Sequence, residues 1–123
     1  MPKSILIVED SAETREMYAI ALQRAGFVVH EAADGLAGVL QATEHVPTLV
    51  LLDIGLPKMD GWDVCRALNR DPLTADTKIV VLTAYPFLPD GARGAGCITA
   101  GFITKPATPL RVLEEIIRLI GPP

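Results

Sequence analysis

The 123-residue sequence predicts a single α/β domain, spanning 1–123, that is built on a parallel sheet with helices on both faces. Five short apolar runs recur along the chain, and helix-like stretches lie between most of them. The runs "ILIV" (5–8) and "LVLL" (49–52) are continuous rather than alternating, which is typical of strands buried on both faces. Strands that alternate with helices favour a parallel sheet with right-handed crossovers.

The amino-acid composition argues against several classes of protein, including membrane-spanning and nucleic-acid-binding ones. Half of the residues are hydrophobic and 21% are charged, as in a globular domain. No apolar run is long enough for a membrane span or a secretory signal, so we expect a cytoplasmic protein without membrane contact. Cys65 and Cys97 are interpreted as plain thiols rather than as a disulfide or metal site. The net charge of −4, without a cluster of Lys and Arg, argues against direct nucleic-acid binding.

The first strand, at 5–8, leads into a helix over 11–27. Ser11 is a good N-cap and Gly26 a good stop for this helix. The residues expected on its inner face are Met17, Ile20 and Ala21. The next run, "FVVHEA" (27–32), is more amphipathic and predicts an edge strand.

Asp34 is the expected N-cap of a second helix that extends to about Thr43. Its predicted inward residues are Leu36, Val39 and Leu40. The buried strand at 49–52 follows, then the loop "DIGLPKMDG" (53–61) and a third helix over 62–70. The residues of that helix expected to face the core are Val64, Cys65 and Leu68.

The last third of the chain holds the buried strand "KIVVL" (78–82) and the short strand "GFIT" (101–104). Thr108 and Pro109 form a strong helix start for the run over 110–120. The apolar stripe of this last helix comprises Leu113, Ile116, Ile117 and Ile120.

A helix also belongs between the last two strands, yet the sequence at 84–102 opposes one. Its helix-disfavouring residues include Pro86, Pro89, Gly91, Gly94 and Gly96. Each interior glycine costs about 1 kcal/mol relative to alanine. We predict a fourth helix that is short, shifted toward 91–99 or partly unwound; the alternative is an ordinary helix held by tertiary packing.

Polar groups follow four of the five strands, at the edge where parallel sheets bind ligands. They are Glu9 and Asp10, Asp53, Thr83, and Lys105. Any one acid suits a helix cap or a solvated loop, but three acids close together raise each other's pKa values. A divalent cation relieves that repulsion, and hard oxygen ligands suit Mg²⁺. Carboxylates, a cation, a hydroxyl and an ammonium together suit the handling of a phosphoryl group.

At these positions the chain, over 3–120, resembles the receiver domain of two-component response regulators. Glu9 and Asp10 match the family's acidic pair, and "DIGLPKMDG" matches its D-x-x-L-P-x-x-D-G loop, with Asp53 as phosphoacceptor. Thr83 in "LTA" and Lys105 in "TKP" match the switch hydroxyl and the lysine. The resemblance implies a flavodoxin-like (βα)₅ sheet in the order 2-1-3-4-5 and a cis bond before Pro106.

The resemblance also implies residue roles. Asp53 takes a phosphoryl group from a sensor histidine kinase or a histidine phosphotransfer protein. The implied Mg²⁺ ligands are Glu9, Asp10, Asp53 and the carbonyl of Gly55. The implied holders of the phosphoryl oxygens are Thr83, the Ala84 N–H and Lys105, and Thr83 and Phe102 are the implied switch residues. The protein is then a signalling protein that catalyses only its own phosphorylation and dephosphorylation.

The implied output is contact with a downstream protein through the fourth helix, the fifth strand and the last helix. As given, the sequence is that of a stand-alone receiver, and self-association into a homodimer stays open. A receiver-fold module that signals without phosphate is the main alternative. A haloacid-dehalogenase-type phosphatase needs a second Asp where Gly55 stands, and "GARGAG" (91–96) follows the wrong strand for a nucleotide-binding turn.

Overall fold

The computed structural model describes residues 2–84 and 97–123, which form a five-stranded parallel sheet covered by four helices. The strands are β1 (Ser4–Val8), β2 (Val28–Ala32), β3 (Leu49–Asp53), β4 (Lys78–Thr83) and β5 (Gly101–Thr104). The helices are α1 (Ala12–Ala25), α2 (Gly35–His45), α3 (Gly61–Arg70) and α4 (Pro109–Ile120). The strand order is β2-β1-β3-β4-β5, which confirms the predicted flavodoxin-like topology and the edge position of β2.

Helix boundaries follow the local signals of the sequence. The side chain of Ser11 accepts a hydrogen bond from the N–H of Thr14, and Gly26 adopts a left-handed conformation with φ of 113°. The side chain of Asp34 accepts the N–H of Ala37 at the start of α2. The side chain of Thr108 likewise accepts the N–H of Arg111 at the start of α4, whose first turn contains a proline. These caps agree with the sequence predictions because capping depends on residues within one turn of the helix end.

The core lies in two layers, one on each face of the sheet. Successive strand residues alternate between them, since neighbouring side chains of a strand point to opposite faces. In β3, Leu49 and Leu51 join the layer beneath α1 and α4, whereas Val50 and Leu52 join the layer beneath α2 and α3. All five residues of β3 are buried, as its continuous apolar sequence predicts.

The residues that α1 and α2 bury differ from those expected from the sequence. In α1 the buried residues are Tyr18, Ala19 and Leu22, whereas Met17 is 43% exposed and Ile20 41% exposed. In α2 the buried residues are Gly35, Gly38 and Ala42, whereas Leu36 is 53% exposed and Leu40 62% exposed. A Cβ at Gly38 would lie 3.0 Å from Val8, so small residues let α2 approach the sheet closely and turn its leucines outward.

The other two helices agree better with expectation. Val64, Cys65 and Leu68 of α3 are buried as predicted, and Trp62 joins them. In α4, Ile116 is buried, but Val112 takes an inner position and Ile117 is 37% exposed.

The predicted atypical helix after β4 falls mainly on 85–96, outside the described residues. Its form and extent therefore stay a prediction from the sequence. Among the described helices, none has the length and apolar character that crossing a membrane requires.

Candidate functional site

The carboxyl ends of four strands meet at one edge of the sheet. The β3–β4 register pairs Asp53 with Leu82, and the β4–β5 register pairs Thr83 with Thr104. Glu9 follows β1 directly and donates its backbone N–H to the carbonyl of Ala32. Lys105 follows β5 and donates its backbone N–H to the carbonyl of Thr83 at 2.7 Å. Strand pairing therefore fixes the backbone positions of the polar residues that sequence analysis selected.

Three carboxylates come together at this edge. Glu9, Asp10 and Asp53 each offer an oxygen atom that lies within 4.8 Å of the other two. Glu9 is 2% exposed and Asp53 is 7% exposed, whereas Asp10 faces solvent. Carboxylates are rarely buried without a partner, so two buried acids beside a third point to a positive charge. The all-oxygen donor set with one open side fits a hard cation such as Mg²⁺.

Lys105 reaches across the carboxylates from β5. Its Nζ lies 2.8 Å from Oδ2 of Asp53 and 3.3 Å from Oε1 of Glu9. The lysine side chain is 28% exposed, so it contacts both buried acids and the solvent. The side chain thus neutralises part of the negative charge at this edge.

The acids respond differently to their surroundings. Burial, together with a hydrogen bond to Asp53 and its negative charge, raises the pKa of Glu9 to about 7. Burial also opposes ionisation of Asp53, but hydrogen bonds from Glu9, Lys105 and the Gly55 N–H together lower the pKa of that carboxyl. Burial likewise opposes the charge on Lys105, yet Asp53 and Glu9 raise its pKa. Asp53 is therefore the acid of the buried pair that is ionised most readily.

The loop after Asp53 is held by its own backbone. Gly55 donates its N–H to Oδ1 of Asp53 at 3.0 Å, which orients the carboxylate. Gly61 donates its N–H to the carbonyl of Ile54 at 2.9 Å and closes the loop. A Cβ at Gly61 would lie 2.5 Å from the Cα of Ile54 and 2.7 Å from the carbonyl oxygen of Asp53. Only glycine leaves room for this close approach.

The segment after β5 is tied to α1. The peptide bond between Lys105 and Pro106 is cis, as the resemblance implied. The hydroxyl of Tyr18 donates a hydrogen bond to the carbonyl of Ala107 at 2.8 Å. An open pocket of about 390 Å³ lies beside this contact. Its lining comprises Thr14, Met17, Tyr18, Ala84, Lys105, Pro106 and Ala107.

The remaining predicted site residues lie near the same edge or on β5. Thr83 is 6% exposed at the end of β4, and Ala84 follows it at the surface. Gly55 is exposed in the loop after Asp53. Phe102 lies on the edge strand β5 and is 45% exposed, so its ring faces solvent in part.

Sequence reasoning missed two residues that support the site. Arg15 donates from Nη1 to the carbonyl of Glu9 at 2.8 Å and pairs through Nε with Glu31 at 3.3 Å. Tyr18 holds the segment after Lys105. Both lie on α1, where an arginine and a tyrosine are ordinary helix residues, and only the packing of α1 reveals their contacts.

The chain resembles known proteins over most of its length. A family model described as "Response regulator receiver domain" matches residues 5–117. The chain belongs to the response regulator receiver domain family. The match covers most of the chain and includes every strand-end residue described above.

Curated relatives share about a third of the sequence with this receiver domain. It is 36% identical to the DNA-binding dual master transcriptional regulator RpaA of Synechocystis sp., over 98% of this chain and 49% of RpaA. It is 37% identical to the phosphate regulon transcriptional regulatory protein PhoB of Escherichia coli, over 99% of this chain and 55% of PhoB. The chain thus spans about half the length of these two relatives. It is 31% identical to the polar-differentiation response regulator DivK of Brucella anthropi, over 98% of both chains.

Solved receiver structures superpose closely on this one. The chemotaxis response regulator CheY4 of Vibrio cholerae gives a TM-score of 0.89 at 27% identity, covering 97% of this chain and 99% of that one. The receiver domain of the sensor histidine kinase PA1611 of Pseudomonas aeruginosa gives a TM-score of 0.87 at 25% identity, covering 98% and 99%. That structure has a magnesium ion coordinated in its active site cleft.

Proposed function

We propose that this receiver domain accepts a phosphoryl group on Asp53 from a histidine kinase or a histidine phosphotransfer protein, with Mg²⁺ bound at Glu9, Asp10 and Asp53. The observation that carries the proposal is the environment of Asp53. Its buried carboxylate lies 2.8 Å from the ammonium of Lys105 and beside two further acids. The magnesium ion in the PA1611 receiver domain supports the choice of metal.

Asp53 has the properties that a carboxylate nucleophile needs. Its lowered pKa keeps it ionised near neutral pH, and the N–H of Gly55 orients its Oδ1. In the proposed reaction a carboxylate oxygen bonds to phosphorus as the bond from phosphorus to the histidine nitrogen of the donor breaks. The imidazole leaves with the electron pair, and Asp53 becomes an acyl phosphate. When bound, Mg²⁺ supplies positive charge that stabilises the phosphoryl oxygens.

Neighbouring groups have distinct proposed tasks. The ammonium of Lys105 exchanges its contact with Asp53 for one with a phosphoryl oxygen. The hydroxyl of Thr83 and the backbone N–H of Ala84 donate hydrogen bonds to the other oxygens. The carbonyl of Gly55 is proposed as a further magnesium ligand. These roles follow from the resemblance and from the common sheet edge of these residues.

The proposed output is a phosphorylation-dependent contact with a downstream protein. Thr83 and Phe102 are the proposed switch residues, the first beside the phosphoryl group and the second on β5. A ring that is 45% exposed gains hydrophobic stabilisation when it turns inward, which is worth about 1–3 kcal/mol for a phenyl ring. A difference that small can be reversed by a bound phosphoryl group or by a partner. Homodimer formation and a cytoplasmic location stay predictions.

Phosphoryl labelling tests the proposal directly. The protein is incubated with acetyl phosphate and MgCl₂, the acyl phosphate is trapped with borohydride, and the labelled residue is mapped by mass spectrometry. We expect label on Asp53, none in Asp53→Asn, and none after chelation. Asp63→Asn is the matched control, because Asp63 is an exposed acid that pairs with Arg66 on α3. Label that survives Asp53→Asn or chelator would contradict the proposal, whereas no label on the parent protein would favour the phosphate-independent binding module.

A further inference from the structure

Two cysteines lie close together where α3 packs against the segment 97–100. Cys65 lies within α3 and is completely buried, whereas Cys97 lies just before β5 and is half-buried. The fold brings these two side chains near each other although they are 32 residues apart in sequence. Both are free thiols.

Both sulfurs lie near polar atoms of α3 or of the segment 97–100. The Sγ of Cys65 lies 3.8 Å from the carbonyl oxygen of Ile98, and the Sγ of Cys97 lies 3.5 Å from the carbonyl oxygen of Trp62. Nη1 of Arg66 lies 3.8 Å from the Sγ of Cys97. Each sulfur thus contacts the backbone of the element that carries the other.

Asn69 and Ile79 anchor the segment that carries Cys97, and the Sγ of Cys65 also lies 3.7 Å from the Oδ1 of Asn69. The Oδ1 of Asn69 accepts the N–H of Ile98 at 2.7 Å, and the Nδ2 of Asn69 donates to the carbonyl of Ile98 at 3.4 Å. The N–H of Ala100 donates to the carbonyl of Ile79 at 2.7 Å. These bonds hold Cys97 beside α3 while both thiols are reduced, so the folded chain already places Cys97 next to the helix that carries Cys65.

We propose that Cys65 and Cys97 form a redox-responsive pair that hydrogen peroxide oxidises to an intramolecular disulfide. Cys97 is the half-exposed member and reacts first. Its sulfur attacks peroxide, the O–O bond breaks, and Cys97 sulfenic acid and one water form. The Cys65 sulfur then displaces hydroxide from the sulfenic acid, and its proton leaves with that hydroxide as a second water. Two thiols lose two electrons and peroxide gains them.

Cys65 is suited to the second step rather than the first. Burial raises the pKa of its thiol to about 12, and the neighbouring thiol of Cys97 adds to the effect. A protonated, inaccessible thiol reacts poorly with peroxide in solution. A sulfenic acid formed on the adjacent sulfur needs no diffusion to reach it.

The disulfide would restrain the segment 97–100 against α3. This segment leads directly into β5 and Phe102, so oxidation would limit movement at the start of the strand that carries the proposed switch aromatic. The formation of the disulfide does not depend on phosphoryl transfer. A negative result for the disulfide would therefore leave the function proposed for Asp53 untouched, and a failure of phosphoryl labelling would leave the disulfide proposal untouched.

Peptide mapping of the oxidised protein tests the pair. The folded chain is treated with hydrogen peroxide, remaining thiols are alkylated under denaturing conditions, and the digest is analysed before and after reduction with dithiothreitol. We expect a linked Cys65–Cys97 peptide that lacks two hydrogen atoms and separates on reduction. We also expect hydrogen exchange at 98–100 to slow in the oxidised protein and to recover after reduction.

Two variants test whether Cys97 is required for the oxidation of Cys65 and whether Asn69 positions the two cysteines. Cys97→Ser alters only a half-buried position, and we expect its Cys65 to stay reduced at the same peroxide concentration. Asn69→Ala removes the anchor of Ile98 but neither sulfur, and we expect it to form the linked peptide several-fold more slowly. Disulfide-linked dimers through Cys97, or Cys97 sulfinic acid beside reduced Cys65 in the parent protein, would overturn the proposal.

Discussion

The Nζ of Lys105 lies 2.8 Å from Oδ2 of Asp53 and 3.3 Å from Oε1 of Glu9, so one ammonium contacts both buried acids. The ion pair joins the ends of β1, β3 and β5 before any phosphoryl group is bound. Lys105 thus has a structural contact as well as its proposed role toward phosphate.

Lys105→Ala should lower the stability of the domain. The solvent-facing position of Lys105 alone would predict little change in stability. Removal of its ammonium, however, leaves the two buried acids without their positively charged partner. We expect the free energy of unfolding to fall by about 1–3 kcal/mol, because the ammonium is partly exposed and Glu9 can take up a proton. Urea unfolding measures the change, and Lys58→Ala, at an exposed lysine, is the control. Equal stability of Lys105→Ala and the parent would show that the ion pair contributes nothing.

Gly61→Ala should distort the loop that orients Asp53. The new Cβ would meet the Cα of Ile54 at 2.5 Å and the carbonyl oxygen of Asp53 at 2.7 Å, so the backbone must move. We expect a loss of about 1–3 kcal/mol in unfolding free energy and slower labelling by acetyl phosphate.

Gly55→Ala is the matched control for Gly61→Ala. It lies in the same loop, but the nearest atom to its new Cβ is Oδ1 of Asp53, at 3.9 Å, so no clash arises. We expect stability near that of the parent. If both variants lose stability equally, close packing at Gly61 is not the cause.

Tyr18→Phe should loosen the segment that follows Lys105. The variant keeps the buried ring and removes only the hydroxyl that donates to the carbonyl of Ala107 at 2.8 Å. We expect a loss of about 1 kcal/mol in urea unfolding and faster hydrogen exchange after Lys105. An unchanged exchange rate at this segment would argue that the cis peptide region is held by other contacts.

His30 should make stability depend on pH. Its ring stacks on that of His45 with centroids 3.7 Å apart. Burial and the positive charge of His45 lower the pKa of His30 below its ordinary value of 6.5, although Glu44 opposes this. The folded state therefore favours neutral His30. The contribution is complete above about pH 6.5 and is lost as the pH falls toward the lowered pKa.

Urea unfolding between about pH 7.5 and about pH 5 checks this direction. In His30→Gln the loss of unfolding free energy on acidification should be smaller than in the parent protein. His45→Gln should reduce it in part, because burial of His30 remains. A His30→Gln variant with the same pH dependence as the parent would contradict the assignment.

The strands, the helix ends and the members of the candidate site can be predicted from the sequence. Continuous β-branched runs indicate buried parallel strands, and caps such as Ser11 and Asp34 act within one turn of the chain. The strand-end residues could be selected because a parallel sheet brings the carboxyl ends of its strands to one edge, whatever the detailed packing. Asp53 and Lys105 could therefore be placed together from their positions alone.

The buried faces of the helices and the contacts between distant side chains depend on how whole elements pack. Leu36 and Leu40 are more apolar than Gly35 and Gly38, yet the glycines are buried because they permit close approach. Gly38 packs against Val8 of β1, and Gly35 packs against Met59 and Val64. The contact between the Sγ of Cys65 and the carbonyl of Ile98 likewise depends on how α3 lies against residues that follow β4 in the sequence. Such contacts join residues far apart in sequence and are fixed by the fit of whole elements, which no local pattern encodes.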